Sequence, residues 1–396
     1  MSAVPAARPR PLHFAAFVMK ATADPIQRNS RRTQARQADF DDLERSVRLA
    51  RTLERGRFDA VFLPDAAAHH APGLRGGHGP FEAGLQAPGS DPSVLAGAIA
   101  YVTDHLGIAF TASIRHEHPS SFARRISTLD HASKGRIAWN IAAGDAPEAW
   151  AQEYLEVTCK LWEGSWEEDA LRQDGRAGSR AGDGKVHRIN HRGPRYTVEG
   201  PHLASPTPQR TPLLFQAGAS ETDRAFAARN AEAVFIRSPG PAAAANDIAD
   251  IRSRAASHGR LPGDIKFFQG LHVVTGGTEA EARRKAAESG QRTADAARLS
   301  LYTAGGAIAG TPEQIADELA RWQDAGVDGV NLVNAGGPAP YQDFVDHVAP
   351  VLRERGLMQR EYADGTLRHK LFGRGDRLPE QHPAARYRSA FAPQHA

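Results

Sequence analysis

The chain has 396 residues, 41% hydrophobic and 24% charged, enough for one large α/β barrel or two ordinary domains. Its 49 Lys and Arg against 46 Asp and Glu leave a net charge of +3, which gives no global argument for a nucleic-acid partner. The one cysteine, Cys159, excludes an intramolecular disulfide framework and a thiolate metal cluster and reads as a small buried side chain.

No apolar run approaches the length of a membrane span. Arg8 and Arg10 precede an apolar run from Leu12 to Met19, faintly like a signal peptide. The run is short and Lys20 closes it, so it reads as a first buried strand, 12–18, in a protein expected in the cytoplasm. Asp41 to Arg55 is a helix with Leu43, Val47, Ala50 and Leu53 on one face, and a second strand follows over 59–65. Asp91 caps a helix opening on Pro92, and the third strand is 107–113. Pro119 to Ser133 is helical, 136–142 is the fourth strand, and Trp150 to Trp162 is helical. The run 164–201, rich in Gly, Arg and Asp, breaks the rhythm with a probable hairpin, VHRINHRGPRYTV, and reads as an excursion.

The rhythm resumes with strands at 211–217, 232–236, 265–274 and 328–334, separated by helices. Thr311, Pro312 and Gln314 open one of these helices as a capping box. Continuous apolar strands suit a parallel sheet covered on both faces, and eight βα units predict a TIM (β/α)8 barrel. An open doubly wound sheet is the alternative, but no glycine fingerprint follows the first strand. The domain reading is one barrel over 1–357, with its excursion after the fourth βα unit, and a C-terminal tail over 358–396. That tail is expected to wrap the surface or to be partly disordered.

In such a barrel the active site lies at the C-terminal ends of the strands. Asp65, Thr111, Ser113, Asn140, Gln216, Gly218, Ser220, Asn331 and Asn334 fall there. They form no nucleophile–base pair, tight carboxylate pair or metal triad. Such a rim binds a polar heterocycle and leaves the hard chemistry to a cofactor. Ser220 is a helix N-cap with Asp223 three residues on, which is either a plain capping box or the start of an anion site. Asn140, inside WNIA, needs partners if buried. Asp65 reads equally as a loop acid, and Thr111 and Ser113 as structural. His69-His70 and His116-x-His118 have possible metal spacing without recurring carboxylates, so they read as loop histidines lining a cleft. His187, Arg188, His191, Arg192 and Arg195 make the hairpin basic, either as a solvated surface or as a lid drawing in an anionic substrate.

With these motifs in place, the chain resembles the bacterial luciferase-like flavin monooxygenases, in the branch of nitrilotriacetate and dibenzothiophene-sulfone monooxygenases. The stretches that carry the resemblance include LARTLERGRFDAVFLPD, HPSSFARRISTLDHASKGRIAWNIA, EYLEVTCKLWEGSWEEDAL, PLLFQAGASETDRAFAARNAEAVF and GTPEQIADELARWQDAGVDGVNL. The resemblance implies reduced FMN (FMNH2) from a separate NAD(P)H:flavin reductase, activation of O2 as a C4a-peroxyflavin, oxygenation of a small organic substrate, and a homodimer. It implies flavin contacts at Asp65, Ser113 and Asn140, with the phosphate at Gly218, Ala219 and Ser220. No catalytic acid or base and no metal is implied.

Two departures stand out. The family's segment between the Asn140 strand and the EYLEV helix, with its His and Arg-Tyr flavin contacts, is absent, and the region after the seventh strand is short. An F420-dependent oxidoreductase and a non-catalytic barrel acting as a binding or partner subunit are the alternatives.

Overall fold

The computed structural model describes residues 10–18, 43–65, 91–144, 146–171, 184–218, 220–290, 299–300, 302–304, 306–334 and 337–389. Eight strands close into a parallel barrel: β1 (His13–Val18), β2 (Ala60–Leu63), β3 (Gly107–Ser113), β4 (Ile137–Ala142), β5 (Leu213–Ala217), β6 (Ala233–Ile236), β7 (Lys266–Leu271) and β8 (Gly329–Asn334). They run in sequence order, and β8 returns to β1 with Phe17 opposite Val333. The predicted TIM barrel and its eight strands are all present.

Side chains alternate between the two faces of each strand. Ala15, Phe17, Ala60, Phe62, Ala109 and Ala138 belong to the cluster inside the barrel. Phe14, Ala16, Val61, Ile108, Phe110 and Trp139 pack outward into the helical layer. This double burial is why the strands read as unbroken apolar runs.

The helical layer is α1 (Leu43–Arg55), α2 (Pro92–Val102), α3 (Pro119–Ala132), α4 (Glu148–Gly164), α5 (Glu221–Asn230), α6 (Pro241–Ala256), α7 (Glu279–Gly290) and α8 (Pro312–Asp324). After β8, α9 (Ala339–Asp343) runs through a π turn at Phe344–Val348 into α10 (Ala349–Glu354). The caps follow the sequence: Asp91 accepts the Ser93 N–H at 2.8 Å, and Thr311 and Gln314 form a reciprocal box. No helix among the described residues is long and apolar enough to cross a membrane.

The excursion holds a hairpin pairing His191–Arg192 with Thr197–Val198. Buried Glu153 of α4 anchors it by accepting the backbone N–H groups of Arg195 at 3.1 Å and Tyr196 at 2.9 Å. These bonds and neighbouring His191 hold the Glu153 carboxyl below its usual pKa against the opposing effect of desolvation.

Residues 358–389 pack across the N-terminal end of the barrel rather than lying loose. Leu367 and Leu371 of α11 (Leu367–Phe372) join the interior cluster. Between them Arg368, only 2% exposed, makes two bonds to Glu232, at 2.6 and 2.8 Å. Arg388 meets buried Glu163 at 2.8 Å, and Arg374 meets Asp264 at 2.7 Å. The arginines of this Arg-rich segment neutralise acids at the barrel floor.

Candidate active site at the C-terminal mouth of the barrel

A void of about 50 Å³ lies inside the C-terminal ends of the strands. Thr111 of β3, Asn140 of β4 and Asn331 of β8 form its polar side; Phe17, Phe62 and Phe235 form its aromatic side. Asn140 is 5% exposed and donates through Nδ2 to Thr111 Oγ1 at 3.1 Å. Its Oδ1 has no partner, nor has Oδ1 of Asn331 or Oε1 of Gln216. A buried carbonyl left without a donor costs about 1–3 kcal/mol. Asn140 and Asn331 therefore mark a place suited to N–H groups of a ligand, such as the edge of a heteroaromatic ring.

The β5 turn opens at this void. Ala217 lines it, and Gly218 follows with φ +143°, where a Cβ would overlap the Asp223 carboxylate. Ser220 caps α5: its Oγ donates to Asp223 Oδ2 at 2.6 Å and accepts the Asp223 N–H at 3.1 Å. The Ser220 N–H also reaches Asp223 Oδ2, at 3.2 Å. The N–H groups of Glu221 and Thr222, first in the helix, have no carbonyl to meet within it and remain suited to an anion. The Asp223 carboxylate works against that role, because it already takes the hydroxyl proton and places a like charge beside the site. Glu221 is paired with Arg254.

Not every expected residue lines the void. Ser113 ends β3 and its Oγ accepts the Arg115 N–H at 3.2 Å, whereas Thr111, one inward position earlier, faces the void. Asp65 stands two residues past β2, where Pro64 is the lining residue. Ala219 and His69-His70 lie outside the described residues. His118 caps α3 by accepting the Ser120 N–H at 3.3 Å. Among the described residues no cluster of His, Cys, Asp and Glu could hold a metal.

The aromatic wall was missed, since an inward Phe on a strand reads as plain core. Also missed was Tyr302, beyond β7, whose ring centre lies 4.3 Å from that of Phe17. A roomier groove, about 720 Å³, runs outside the barrel between α4 and the hairpin. Several of its charges are engaged: Lys160 with Glu156 at 2.6 Å, Glu153 with the hairpin backbone, and Arg195 over the Trp150 ring at 4.1 Å. The groove also holds one unpartnered atom, Gln152 Nε2, but the mouth gathers unpartnered amide oxygens at the C-terminal ends of the strands, where sites form in this fold, and is the better candidate.

Fold and site together define a TIM barrel with a void, polar on one side and aromatic on the other, at its C-terminal mouth. The chain belongs to the luciferase-like monooxygenase family, whose model matches residues 22–329. It is 38% identical to long-chain alkane monooxygenase of Geobacillus thermodenitrificans (strain NG80-2), covering 96% of this chain and 98% of the relative. That alignment spans 431 positions, more than this chain's 396 residues, so the relative carries residues that are missing here. Dimethyl-sulfide monooxygenase of Hyphomicrobium sulfonivorans is 37% identical over 91% of this chain and 90% of its own length. The crystal structure of long-chain alkane monooxygenase (LadA) superposes with a TM-score of 0.85 at 36% identity, covering 96% of this chain and all of that one. A riboflavin lyase (RcaE) crystallised with modified FMN and riboflavin gives 0.81 at 31% identity, over 96% of this chain and 100% of the other.

Proposed function

We propose that this barrel is a monooxygenase using reduced FMN supplied by a separate NAD(P)H:flavin reductase. When bound, FMNH2 supplies two electrons and two protons, so that one atom of O2 enters a small organic substrate, the other leaves as water, and FMN remains. The observation that carries the reading is the pair of unpartnered amide oxygens on Asn140 and Asn331 in the mouth.

Asn140 Oδ1 accepts an N–H of the ring system, and the Thr111 bond fixes the amide in that orientation. Phe17, Phe62 and Phe235 exclude water from the reacting face. Gly218, Ala219, Ser220 and the first N–H groups of α5 hold the phosphate, while Asp65 and Ser113 complete the flavin contacts at the rim. The void as it stands is smaller than a three-ring flavin; Asn140 would hold the polar edge of such a group at the mouth. A non-catalytic barrel is the second reading, favoured by the Asp223 carboxylate beside the anion site.

Anaerobic titration with FMNH2, followed by flavin fluorescence, separates the two. Asn140→Ala is expected to weaken binding about tenfold, the worth of roughly 1.4 kcal/mol. Asp223→Asn keeps a capping acceptor and removes a charge, so it is expected to tighten binding several-fold, on the order of 1 kcal/mol. Weaker binding by Asp223→Asn would place the phosphate elsewhere, and no binding by the unchanged chain would leave only the second reading.

We also propose that two copies pair through α2. Its sequence, PSVLAGAIAYV, has no charged residue, yet Val94 is 71% and Tyr101 91% exposed. A helix apolar all round belongs in an interior or an interface. Tyr101→Glu is expected to turn a dimer into a monomer in sedimentation analysis; a monomeric unchanged chain would contradict the pairing.

A further inference from the structure

We infer that a second void, between the ends of β7 and β8 and the helices α7 and α9, is a binding site for a small organic ammonium ion with a short apolar tail. Among the described residues it shares no lining with the mouth, and it stands apart from the flavin reading.

The two faces of β8 separate the voids. Asn331 and Asn334 are an odd number of residues apart, so they project to opposite sides of the strand. Asn331 lines the mouth. Asn334, 2% exposed, lines the second void, which measures about 270 Å³. That is close to the roughly 300 Å³ of a small ligand pocket. The short strand Val273–Thr275, paired in parallel with Ile308–Gly310, forms another wall.

The buried polar atoms of this void are acceptors. His272 directs Nδ1 at the Val333 carbonyl, 3.0 Å away. A carbonyl only accepts, so that nitrogen carries the proton. Burial holds the ring below its ordinary pKa, against the Val333 carbonyl and the Asn334 amide, so the imidazole is neutral at pH 7 and Nε2 presents a lone pair. Buried Nε2 has no partner among the described residues, nor have Asn334 Oδ1 and Thr275 Oγ1. Buried polar atoms are nearly always hydrogen-bonded, so these three require a donor that enters the void.

Charge selects a cation. Lys285 is engaged by Glu281 at 2.9 Å and by the Thr275 carbonyl at 3.3 Å, and Glu288 accepts from Arg284 at 3.2 Å. Asp343 also lines the void and has no ion-pair partner among the described residues, so one carboxylate is left without a countercharge. An ammonium group supplies that charge together with three N–H donors, one for each orphaned acceptor. An anion would meet Asp343 and three lone pairs instead. Val273, Pro340 and Phe344 give the void an apolar side for the tail, and Phe344 is held in place by the Phe14 and Phe58 rings, at 5.7 and 5.8 Å between centres.

The test is calorimetry on the full chain with butylammonium, butan-1-ol and butyrate, which share a tail and differ in head group. Butylammonium is expected to bind one per chain, at least about tenfold more tightly than butan-1-ol, and butyrate not to bind. Thr275→Val keeps the shape and removes an acceptor, and is expected to weaken butylammonium binding about fivefold. Asp343→Asn is expected to weaken it by about as much. Asp343 is exposed, so this variant reads the site even where Thr275→Val disturbs the fold. Asn140→Ala, at the mouth, is expected to leave the affinity unchanged. Absence of saturable butylammonium binding, the result if water alone fills the void, overturns the inference. So does equal binding of butan-1-ol or butyrate, an affinity unmoved by both Thr275→Val and Asp343→Asn, or one lowered by Asn140→Ala.

Discussion

Arg368→Ala is expected to destabilise the fold by about 3–5 kcal/mol, the usual cost of removing one partner from a buried ion pair. Arg368 and Glu232 are each almost wholly buried, and the guanidinium also donates to the carbonyls of Thr211 and Pro212 at 3.0 and 3.1 Å. Glu232 in turn accepts the Leu214 N–H at 3.1 Å. The pair therefore ties the tail to the starts of β5 and β6. Desolvation alone would push the Glu232 carboxyl up; Arg368 more than offsets it and holds the carboxyl below its ordinary range. Without Arg368 that charge is stranded. The urea midpoint measures the loss. Replacing both partners together, Arg368→Met with Glu232→Gln, should recover much of it, because the larger part is the stranded charge. A loss under about 1 kcal/mol in Arg368→Ala would mean the tail does not close the barrel floor in solution.

Acid is the second large lever, and histidine carries it. Burial lowers His202 and His382 from 6.5 to about 4. His382 bonds the Asn230 carbonyl through Nε2 at 2.9 Å and receives the Ala384 N–H at Nδ1, at 3.2 Å. Protonating Nδ1 would set one N–H against another. His202 sits against Ser127 Oγ at 2.9 Å, with His131 adding like charge. Below pH 6.5 the unfolded chain takes up protons that the folded chain refuses until about pH 4. Stability is thus full above pH 6.5 and falls through that window, by roughly 2 kcal/mol per histidine at pH 5. Asp130 opposes this: burial raises its carboxyl, so its contribution grows as pH falls. The test is accordingly differential. His382→Gln should reduce the loss of stability between pH 7 and pH 5 by about 2 kcal/mol relative to the unchanged chain. An identical slope would show that His382 is not held neutral.

The barrel was legible because each strand is buried on both faces, and GIAFTAS or RIAWNIA has few other uses. Asn140 was legible for the same reason, as a lone amide in an apolar strand. Thr111 and Ser113 share a strand face, so alternation could not decide which reaches the void. Phe17, Phe62 and Phe235 carry no mark that separates a site wall from core. Tyr302 lies in the turn just after helical residues 299–300, and its place depends on Gly270, thirty-two residues earlier. The capping box was read correctly down to Asp223. What pattern could not give was the direction of the hydroxyl proton, which sets the cap against the phosphate. The tail's contacts were not legible because its arginines answer Glu163 and Glu232, acids far away in sequence that nothing local pairs with them.

The central claim is that one mouth holds both the ring and the phosphate of the flavin. Its most direct test is a crystal structure of the full chain soaked anaerobically with reduced FMN. The predicted result is a ring N–H within hydrogen-bond reach of Asn140 Oδ1 and a phosphate on the N–H groups of Glu221 and Thr222. A flavin in the groove between α4 and the hairpin, or a phosphate away from the start of α5, would contradict it.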